Sequence, residues 1–178
     1  MAGANGHPAN TAIVVMGVSG AGKTTIGTLL AARLGRALLE GDGFHPQSNI
    51  VKMRSGVPLD DADRMPWLEA IAAAIDAARR EGRQLVVTCS ALKRTYRDVL
   101  AGSHDDVLFV YLRGGRSLVA ERLASRAGHF MPPQLLESQF AVLQEPDAGE
   151  ASIVVDIEDA PERIVQRIAE SLAADVRA

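Results

Sequence analysis

The chain has 178 residues, a formal net charge of −3 and 47% hydrophobic residues. This length suits one domain with one sizeable core, and the charge balance provides no overall basic field, which argues against a nucleic-acid partner. No apolar run approaches the roughly 20 residues that a membrane span needs. Cys89 is the single cysteine, which excludes an internal disulfide and is typical of a reducing compartment. We therefore expect a cytoplasmic globular protein without a membrane partner.

Five short apolar runs alternate with helical patterns after residues 1–11, which we expect to form a loose tail. The runs are rich in Val and Ile and lack polar alternation, which is typical of strands buried on both faces of a parallel sheet. The alternation predicts an α/β, three-layer, doubly wound domain over 12–178, in which ligands bind beyond the carboxyl ends of the strands. We predict strands at 12–16, 37–40, 85–89, 107–112 and 152–156, and helices near 24–34, 66–81, 94–101, 115–126 and 161–175.

The sequence GVSGAGKTT follows the first predicted strand and fits the phosphate-binding pattern G-x-x-x-x-G-K-[ST] through Gly17, Gly22, Lys23 and Thr24. Glycines let the backbone curl, so that successive N–H groups point at one anion, and the next helix adds its positive end. Lys23 is placed to reach the β- and γ-phosphates, and Thr24 to offer its hydroxyl to Mg²⁺. A glycine-rich turn without a ligand is the alternative. The complete pattern between a strand and a helix predicts a nucleoside triphosphate site.

A charged segment without a clear period, residues 40–68, follows the second predicted strand. Long irregular segments in compact domains are usually functional or disordered, and its apolar residues argue against disorder. Asp42 is a candidate base or orienting acceptor for a substrate hydroxyl, although a turn or capping aspartate is the alternative. Glu40 is placed either to hold Mg²⁺ through water or simply to end the strand. His45 is either a donor to the substrate or a loop histidine.

Basic residues follow the third predicted strand. Lys93 and Arg94 begin a helix, where cations oppose the helix dipole by a few tenths of a kcal/mol each. This placement favours an anion site, and a solvated basic face is the alternative.

An arginine pair follows the fourth predicted strand. Arg122 and Arg126 are four residues apart, so they share one face of a helix that Pro132 and Pro133 should end. This pattern predicts a lid at about 122–135 whose closure excludes water and brings guanidinium charge onto a transferring phosphoryl group. Two surface arginines at the end of a helix are the alternative.

Together these segments resemble the gluconate kinase (gluconokinase) family of small P-loop kinases. The matching stretches run from about residue 16 to residue 146 and comprise MGVSGAGKTT, GDGFHP, NIVKMRSGVPLDDADRMPWL, CSALKRTYRD, RAGHFMP with the following SQF, and LQEP. The resemblance implies ATP-dependent, Mg²⁺-assisted phosphorylation of D-gluconate at its 6-hydroxyl, which gives 6-phosphogluconate and ADP. It also implies a five-stranded parallel sheet ordered 2-3-1-4-5, a mobile lid and a homodimer.

The resemblance also implies roles for individual residues. The ATP-binding set is Gly17, Ser19, Gly20, Ala21, Gly22, Lys23, Thr24, Thr25 and Arg122. The substrate-binding set is Asp42, His45, Lys52, Arg64, Lys93 and Arg94. The catalytic set is Lys23, Asp42 and Arg126, and the candidate Mg²⁺ ligands are Thr24 and Glu40. Glu40 stands where the family usually has Asp before GD, which leaves its metal role open.

The chemistry of these residues agrees with a small acidic polyol, which needs a cation at one end and a carboxylate at the reacting hydroxyl. A shikimate kinase or a nucleoside monophosphate kinase would share the fold, the phosphate loop and the lid arginines, but would differ in the pocket after strands two and three. A GTPase switch would normally contain D-x-x-G and N-K-x-D, and neither occurs. A regulatory module that binds ATP without catalysis is the remaining alternative, although ATP binding alone needs neither Asp42 nor the lid arginines.

Overall fold

The computed structural model of the protein describes residues 10–125 and 133–175. Its strands are β1 (Ala12–Met16), β2 (Ala37–Glu40), β3 (Leu85–Thr88), β4 (Val107–Arg113) and β5 (Ser152–Asp156). Its helices are α1 (Lys23–Leu34), α2 (Gln47–Arg54), α3 (Asp61–Arg80), α4 (Arg94–Ala101), α5 (Arg116–Ala124), α6 (Pro133–Val142) and α7 (Pro161–Asp175), and a short 3₁₀ helix, Gly41–Phe44, follows β2. None of the described helices is both long and apolar enough to cross a membrane.

The five strands form one parallel sheet in the order β2-β3-β1-β4-β5, which confirms the predicted order. Strand β1 is central, because Ala12 is in register with Leu85 of β3 on one side and with Val107 of β4 on the other. The carboxyl ends of the strands therefore meet at one edge of the sheet. The segments that follow β1, β2 and β3 all leave from this edge.

Helices cover both faces of the sheet, as the apolar runs predict. Every residue of β1 is buried. Its residues Ile13 and Val15 belong to the core on one face, and Val14 and Met16 belong to the core on the other. The first core is completed by α1 and α7, through Ile26, Leu30, Ile164 and Ile168. The second is completed by α3 and α4, through Trp67, Leu68, Ile71 and Tyr96.

The predicted helix 66–81 starts too late. Helix α3 begins at Asp61, because Asp60 and Asp63 form a reciprocal capping box: Asp63 N donates to Asp60 Oδ1 (2.8 Å) and Asp60 N donates to Asp63 Oδ2 (3.0 Å). These bonds satisfy amides that the first turn of a helix leaves without intrahelical partners. Pro66 consequently lies inside the helix rather than at its start.

Two short helices, α2 and α6, were not predicted. The proline expected to end a helix, Pro133, instead begins α6, and the preceding helix α5 already ends at Ala124. Proline suits the first helical turn, where its missing N–H has no intrahelical partner to lose.

The expectation of a loose tail over 1–11 is wrong for its last residue. Thr11 is buried, and its carbonyl oxygen accepts a hydrogen bond from Leu85 N (2.8 Å) at the start of β3. The Asn10 carbonyl oxygen likewise accepts one from Arg36 Nη1 (2.9 Å). Both residues are therefore joined to the folded body. Residues 1–9 lie outside the described residues.

Candidate active site

The phosphate loop connects β1 to α1 through backbone conformations that favour glycine. Gly17 has φ of +144°, and a Cβ at this position would lie 3.0 Å from Leu112 O. Gly20 has φ of +84°, and a Cβ there would lie 2.7 Å from Leu123 Cγ. Any larger residue would thus be strained or would collide with β4 or α5. The loop leads directly into the N-terminus of α1 at Lys23, whose Nζ donates to Val18 O (3.0 Å).

A cavity of about 410 Å³, the main cavity, lies beside this loop. It brings together eight residues that the sequence analysis selected from separate segments. These residues are Ser19, Gly20, Gly22, Lys23 and Thr24 of the loop and Asp42, His45 and Arg64 from the segment after β2. A phosphate-binding loop and a carboxylate therefore face the same space, as phosphoryl transfer to a hydroxyl requires.

A second cavity of about 230 Å³, the side cavity, is lined by the same loop and by residues after β4 and β5. Thr25 and Arg122, both assigned to ATP, line it together with Asp159 and Pro161. The Arg122 guanidinium is fixed there, because its Nη2 donates to Ile157 O (2.5 Å). The loop thus contributes to two cavities, which suits a nucleotide on one side and an acceptor on the other.

The position of Asp42 depends on close backbone packing. Gly41 precedes it, and a Cβ at Gly41 would lie 2.3 Å from Thr88 O at the end of β3. The Gly41 carbonyl oxygen accepts a hydrogen bond from the buried Trp67 Nε1 (2.7 Å). Strand β3 and helix α3 therefore hold the 3₁₀ helix that carries the exposed Asp42 carboxylate.

His45 is oriented by an aromatic and a polar neighbour. Its ring stacks on Trp67, with centroids 4.2 Å apart and an interplanar angle of 13°. The buried Asn49 turns its Nδ2 towards both Asp63 O (2.8 Å) and His45 Nδ1 (3.3 Å). Because a carbonyl can only accept, Nδ2 is the donor, and the neutral ring then carries its proton on Nε2.

Burial lowers the pKa of His45, and the nearby Arg64 lowers it further while Asp42 raises it. The neutral ring is therefore the favoured form near neutral pH, with Nε2–H available to a hydroxyl or carboxylate.

Three predicted substrate cations lie in ion pairs and do not line the main cavity. Lys52 is 2.7 Å from Asp63, Lys93 is 2.7 Å from Asp61, and Arg94 is 2.7 Å from Asp147. Hydrogen bonds from the lysines hold the pKa values of Asp63 and Asp61 below their usual range. Of the four cations assigned to the substrate, the structure brings only Arg64 into this cavity.

The remaining predicted residues are Glu40 and Arg126. Glu40 is exposed at the end of β2 and lines neither cavity. Arg126 lies outside the described residues.

A Mg²⁺ ion beside the phosphate loop would need oxygen ligands. Within 10–125 and 133–175, no group of three or more His, Cys, Asp or Glu side chains could hold a metal by itself. Of the two candidate ligands, Thr24 nevertheless lines the main cavity and Glu40 does not. The Thr24 hydroxyl fits Mg²⁺, which is usually bound by one or two protein groups together with substrate phosphates and water.

Sequence reasoning missed the contributions of Gln139 and Trp67 to the site and the burial of Arg97. Gln139 bonds to the phosphate loop from α6, a helix that was not predicted. Arg97, in the same basic stretch as Lys93 and Arg94, is buried, pairs with Glu150, and donates to Ala91 O and Gln144 O. The SQF stretch contained Gln139, but nothing in its spacing indicates a partner 120 residues away.

The chain is similar in sequence and in structure to known kinases. A family model described as shikimate kinase matches residues 19–173. The thermoresistant gluconokinase of Escherichia coli (strain K12) is 45% identical over 153 residues, which are 85% of this chain and 87% of that protein. The gluconokinase of Gluconobacter oxydans (strain 621H) is 44% identical over 163 residues, 92% of each chain. The crystal structure of a gluconokinase from Sinorhizobium meliloti 1021 matches with a TM-score of 0.86 and 43% identity over 94% of both chains.

Proposed function

The chain belongs to the gluconokinase family, within the wider group that the shikimate kinase model describes, and we infer that it phosphorylates D-gluconate with ATP as the donor. The observation that carries this inference is the main cavity, where Lys23 and Thr24 of the phosphate loop face Asp42, His45 and Arg64. A phosphate donor and a hydroxyl acceptor can meet there. The products are ADP and 6-phospho-D-gluconate.

The phosphate side works through backbone and charge. The loop amides and the positive N-terminus of α1 bind the phosphates, and the Lys23 ammonium reaches the β- and γ-phosphoryl oxygens. Thr24 offers a hydroxyl to Mg²⁺, which neutralises charge on the phosphates when bound. Arg122 and Thr25 line the side cavity and contact the remainder of the nucleotide. The donor is thereby held with its γ-phosphoryl group directed into the main cavity.

The acceptor side works through side chains. The Asp42 carboxylate accepts the hydrogen bond of the 6-hydroxyl, orients its oxygen for in-line attack and takes up its proton. The neutral His45 donates through Nε2–H to a hydroxyl of the sugar chain. The Arg64 guanidinium pairs with the gluconate carboxylate, since an arginine fork binds a carboxylate through two parallel hydrogen bonds.

The other expectations from the sequence belong to the same proposal. Lys52, Lys93 and Arg94 complete the electrostatic surroundings of the acceptor from their present ion pairs, and Arg126 stabilises the transferring phosphoryl group. Glu40, the other candidate Mg²⁺ ligand, lines neither cavity.

The proposal extends to organisation and location. It includes a single domain over 12–178 with a lid at about 122–135, a homodimer, a cytoplasmic location and an Mg²⁺ cofactor. The resemblance supports the dimer and the lid. The single, buried Cys89 is compatible with a reducing compartment.

A coupled ADP-release assay tests the function, with Mg-ATP and a panel of gluconate, other aldonates, shikimate, AMP and no acceptor. We expect turnover with gluconate well above the rate without acceptor. Shikimate is included because a shikimate kinase model matches residues 19–173. Turnover with shikimate alone would mean that shikimate rather than gluconate is the acceptor, while phosphoryl transfer from ATP would stand. ATP binding without turnover on any acceptor would instead indicate a regulatory module.

A further inference from the structure

Gln139 of α6 and Ser19 of the phosphate loop are joined by two hydrogen bonds. The Ser19 backbone N–H donates to Gln139 Oε1 (2.7 Å), and Gln139 Nε2 donates to Ser19 Oγ (3.0 Å). Both residues are partly buried and both line the main cavity. One amide group thus contacts the backbone and the side chain of the same loop residue.

This pair of bonds fixes which group donates. A backbone N–H can only donate, so the amide must present its oxygen to it. The amide nitrogen then faces Ser19 Oγ, which has to accept. The opposite amide orientation would place two donors against each other, so only this orientation satisfies both contacts. The single hydroxyl proton of Ser19 consequently remains available for another acceptor.

The main cavity determines which acceptor that is. Ser19 lines it together with Gly20, Gly22, Lys23 and Thr24, which are all residues of the phosphate loop. An anionic phosphoryl group in this space accepts hydrogen bonds from donors that are already oriented, and such donors are most effective when they need no reorganisation during the reaction. A serine hydroxyl held by Gln139 meets this requirement.

We propose that Gln139 is a positioning residue that holds the Ser19 hydroxyl as a hydrogen-bond donor to the phosphoryl group in transfer. The proposal rests on the proposed phosphoryl transfer, but not on gluconate as the acceptor. In this role Gln139 acts through the Ser19 hydroxyl, so its removal should lower kcat in the same way as removal of that hydroxyl, with the added loss of its bond to the Ser19 N–H. This dependence can be measured.

The experiment is a double-mutant cycle with Ser19→Ala, Gln139→Met and the double variant, measured as kcat and as the affinity for ATP. We expect each single variant to lower kcat by about tenfold to a hundredfold, the range for losing one donor to a charged group. The double variant should be no slower than the slower single variant, because the two changes remove one interaction. ATP affinity should change by less than about threefold, since the donor acts mainly in the transition state.

Gln166→Met and Ser171→Ala provide matched controls, because both residues lie on the surface of α7 and line neither cavity. We expect wild-type kcat for both. Losses in kcat that multiply in the double variant would overturn the proposal, as would equal losses in kcat and ATP affinity. Either result would make Gln139 a residue that supports the fold of the loop.

Gln139→Glu provides a second test if Gln139→Met does not fold. A carboxylate still accepts from the Ser19 N–H, but its second oxygen must also accept, which turns the serine hydroxyl away from the phosphoryl group. We expect kcat at or below that of Ser19→Ala, and wild-type kcat would contradict the proposal.

The cycle is measured with the acceptor that gives turnover in the panel and also with water, as ATP hydrolysis. The test of Gln139 therefore remains valid even if gluconate is not the acceptor.

Discussion

The two sides of the main cavity are built differently. The phosphate side is a continuous stretch, residues 17–25, whose shape follows from glycine conformations and from the start of α1. The acceptor side is assembled from the 3₁₀ helix, His45 and α3, which are brought together only in the folded chain. The phosphate side therefore takes its shape mainly from its own sequence, with Gln139 of α6 bonded to it, whereas the acceptor side depends on tertiary packing.

The difference extends to the groups that act. On the phosphate side most of the proposed hydrogen-bond donors are backbone amides. A short motif of a few residue types is therefore enough to build such a phosphate site in many different proteins. On the acceptor side the working groups are side chains, and their positions depend on contacts such as the bond from Trp67 Nε1 to Gly41 O. Substitutions on the two sides should therefore have different kinetic effects. Those on the phosphate side should affect the binding and reaction of ATP, and those on the acceptor side should affect the reacting hydroxyl.

The largest effect is expected from Lys23→Met. Loss of the ammonium removes charge stabilisation on the transferring phosphoryl group, so kcat should fall by about a thousandfold, the upper range for one such group. The coupled assay measures kcat, and the thermal midpoint checks that the fold persists. Affinity for ATP should also weaken, because the proposed role of the lysine includes contact with the bound nucleotide as well as with the transition state. An active Lys23→Met variant would remove Lys23 from the mechanism.

Asp42→Asn should affect the acceptor side alone. Asparagine keeps the shape but cannot take up the hydroxyl proton, so kcat should fall by about a hundredfold or more, as for loss of a general base. ATP affinity, measured by calorimetry, should remain near that of the wild type.

Asp105→Asn is a suitable control, because Asp105 is exposed and lines neither cavity. Equal losses in kcat and ATP affinity for Asp42→Asn would show that this carboxylate does not act at the acceptor.

The same division explains what the sequence could predict. All five strands were accessible because the strands of a parallel sheet produce unbroken apolar runs, whereas the strand order was implied only by the resemblance to the gluconate kinase family. Asp42, His45 and Arg64 were found because they lie in the charged segment after the second predicted strand, which also matches the gluconate kinase family. The contribution of Gln139 was not found from the sequence, because it comes from a helix of ten residues that neither periodicity nor capping indicated.

Charge in the sequence does not reveal its partners, and this limited the interpretation of the basic residues. Lys52, Lys93 and Arg94 were selected as cations for an anionic substrate, but acidic residues of α3 and of the segment before β5 pair with them. Arg97 is an extreme case, because it is buried against Glu150 although it sits in the same basic stretch. Such pairing joins residues 11 to 53 positions apart, which no local pattern encodes.

The smallest effect on turnover is expected from Gly41→Ala, compared with Gly43→Ala in the same 3₁₀ helix. This pair tests directly whether tertiary packing fixes the position of Asp42. A Cβ at Gly41 would lie 2.3 Å from Thr88 O, a backbone atom that cannot move aside without shifting β3. We expect a loss of about 3 kcal/mol in the free energy of unfolding, towards the upper range for overpacking, together with slower turnover as Asp42 is displaced.

A Cβ at Gly43 meets nothing within 4 Å, so Gly43→Ala should change the free energy of unfolding by less than about 1 kcal/mol. Urea unfolding of both variants gives the difference, and kcat measured beside it reports the placement of Asp42. Equal stability of the two variants would mean that the close approach to β3 does not fix this turn. A Gly41→Ala variant that lost stability but kept wild-type kcat would separate the packing from the catalysis, because Asp42 would then reach the hydroxyl from a displaced turn.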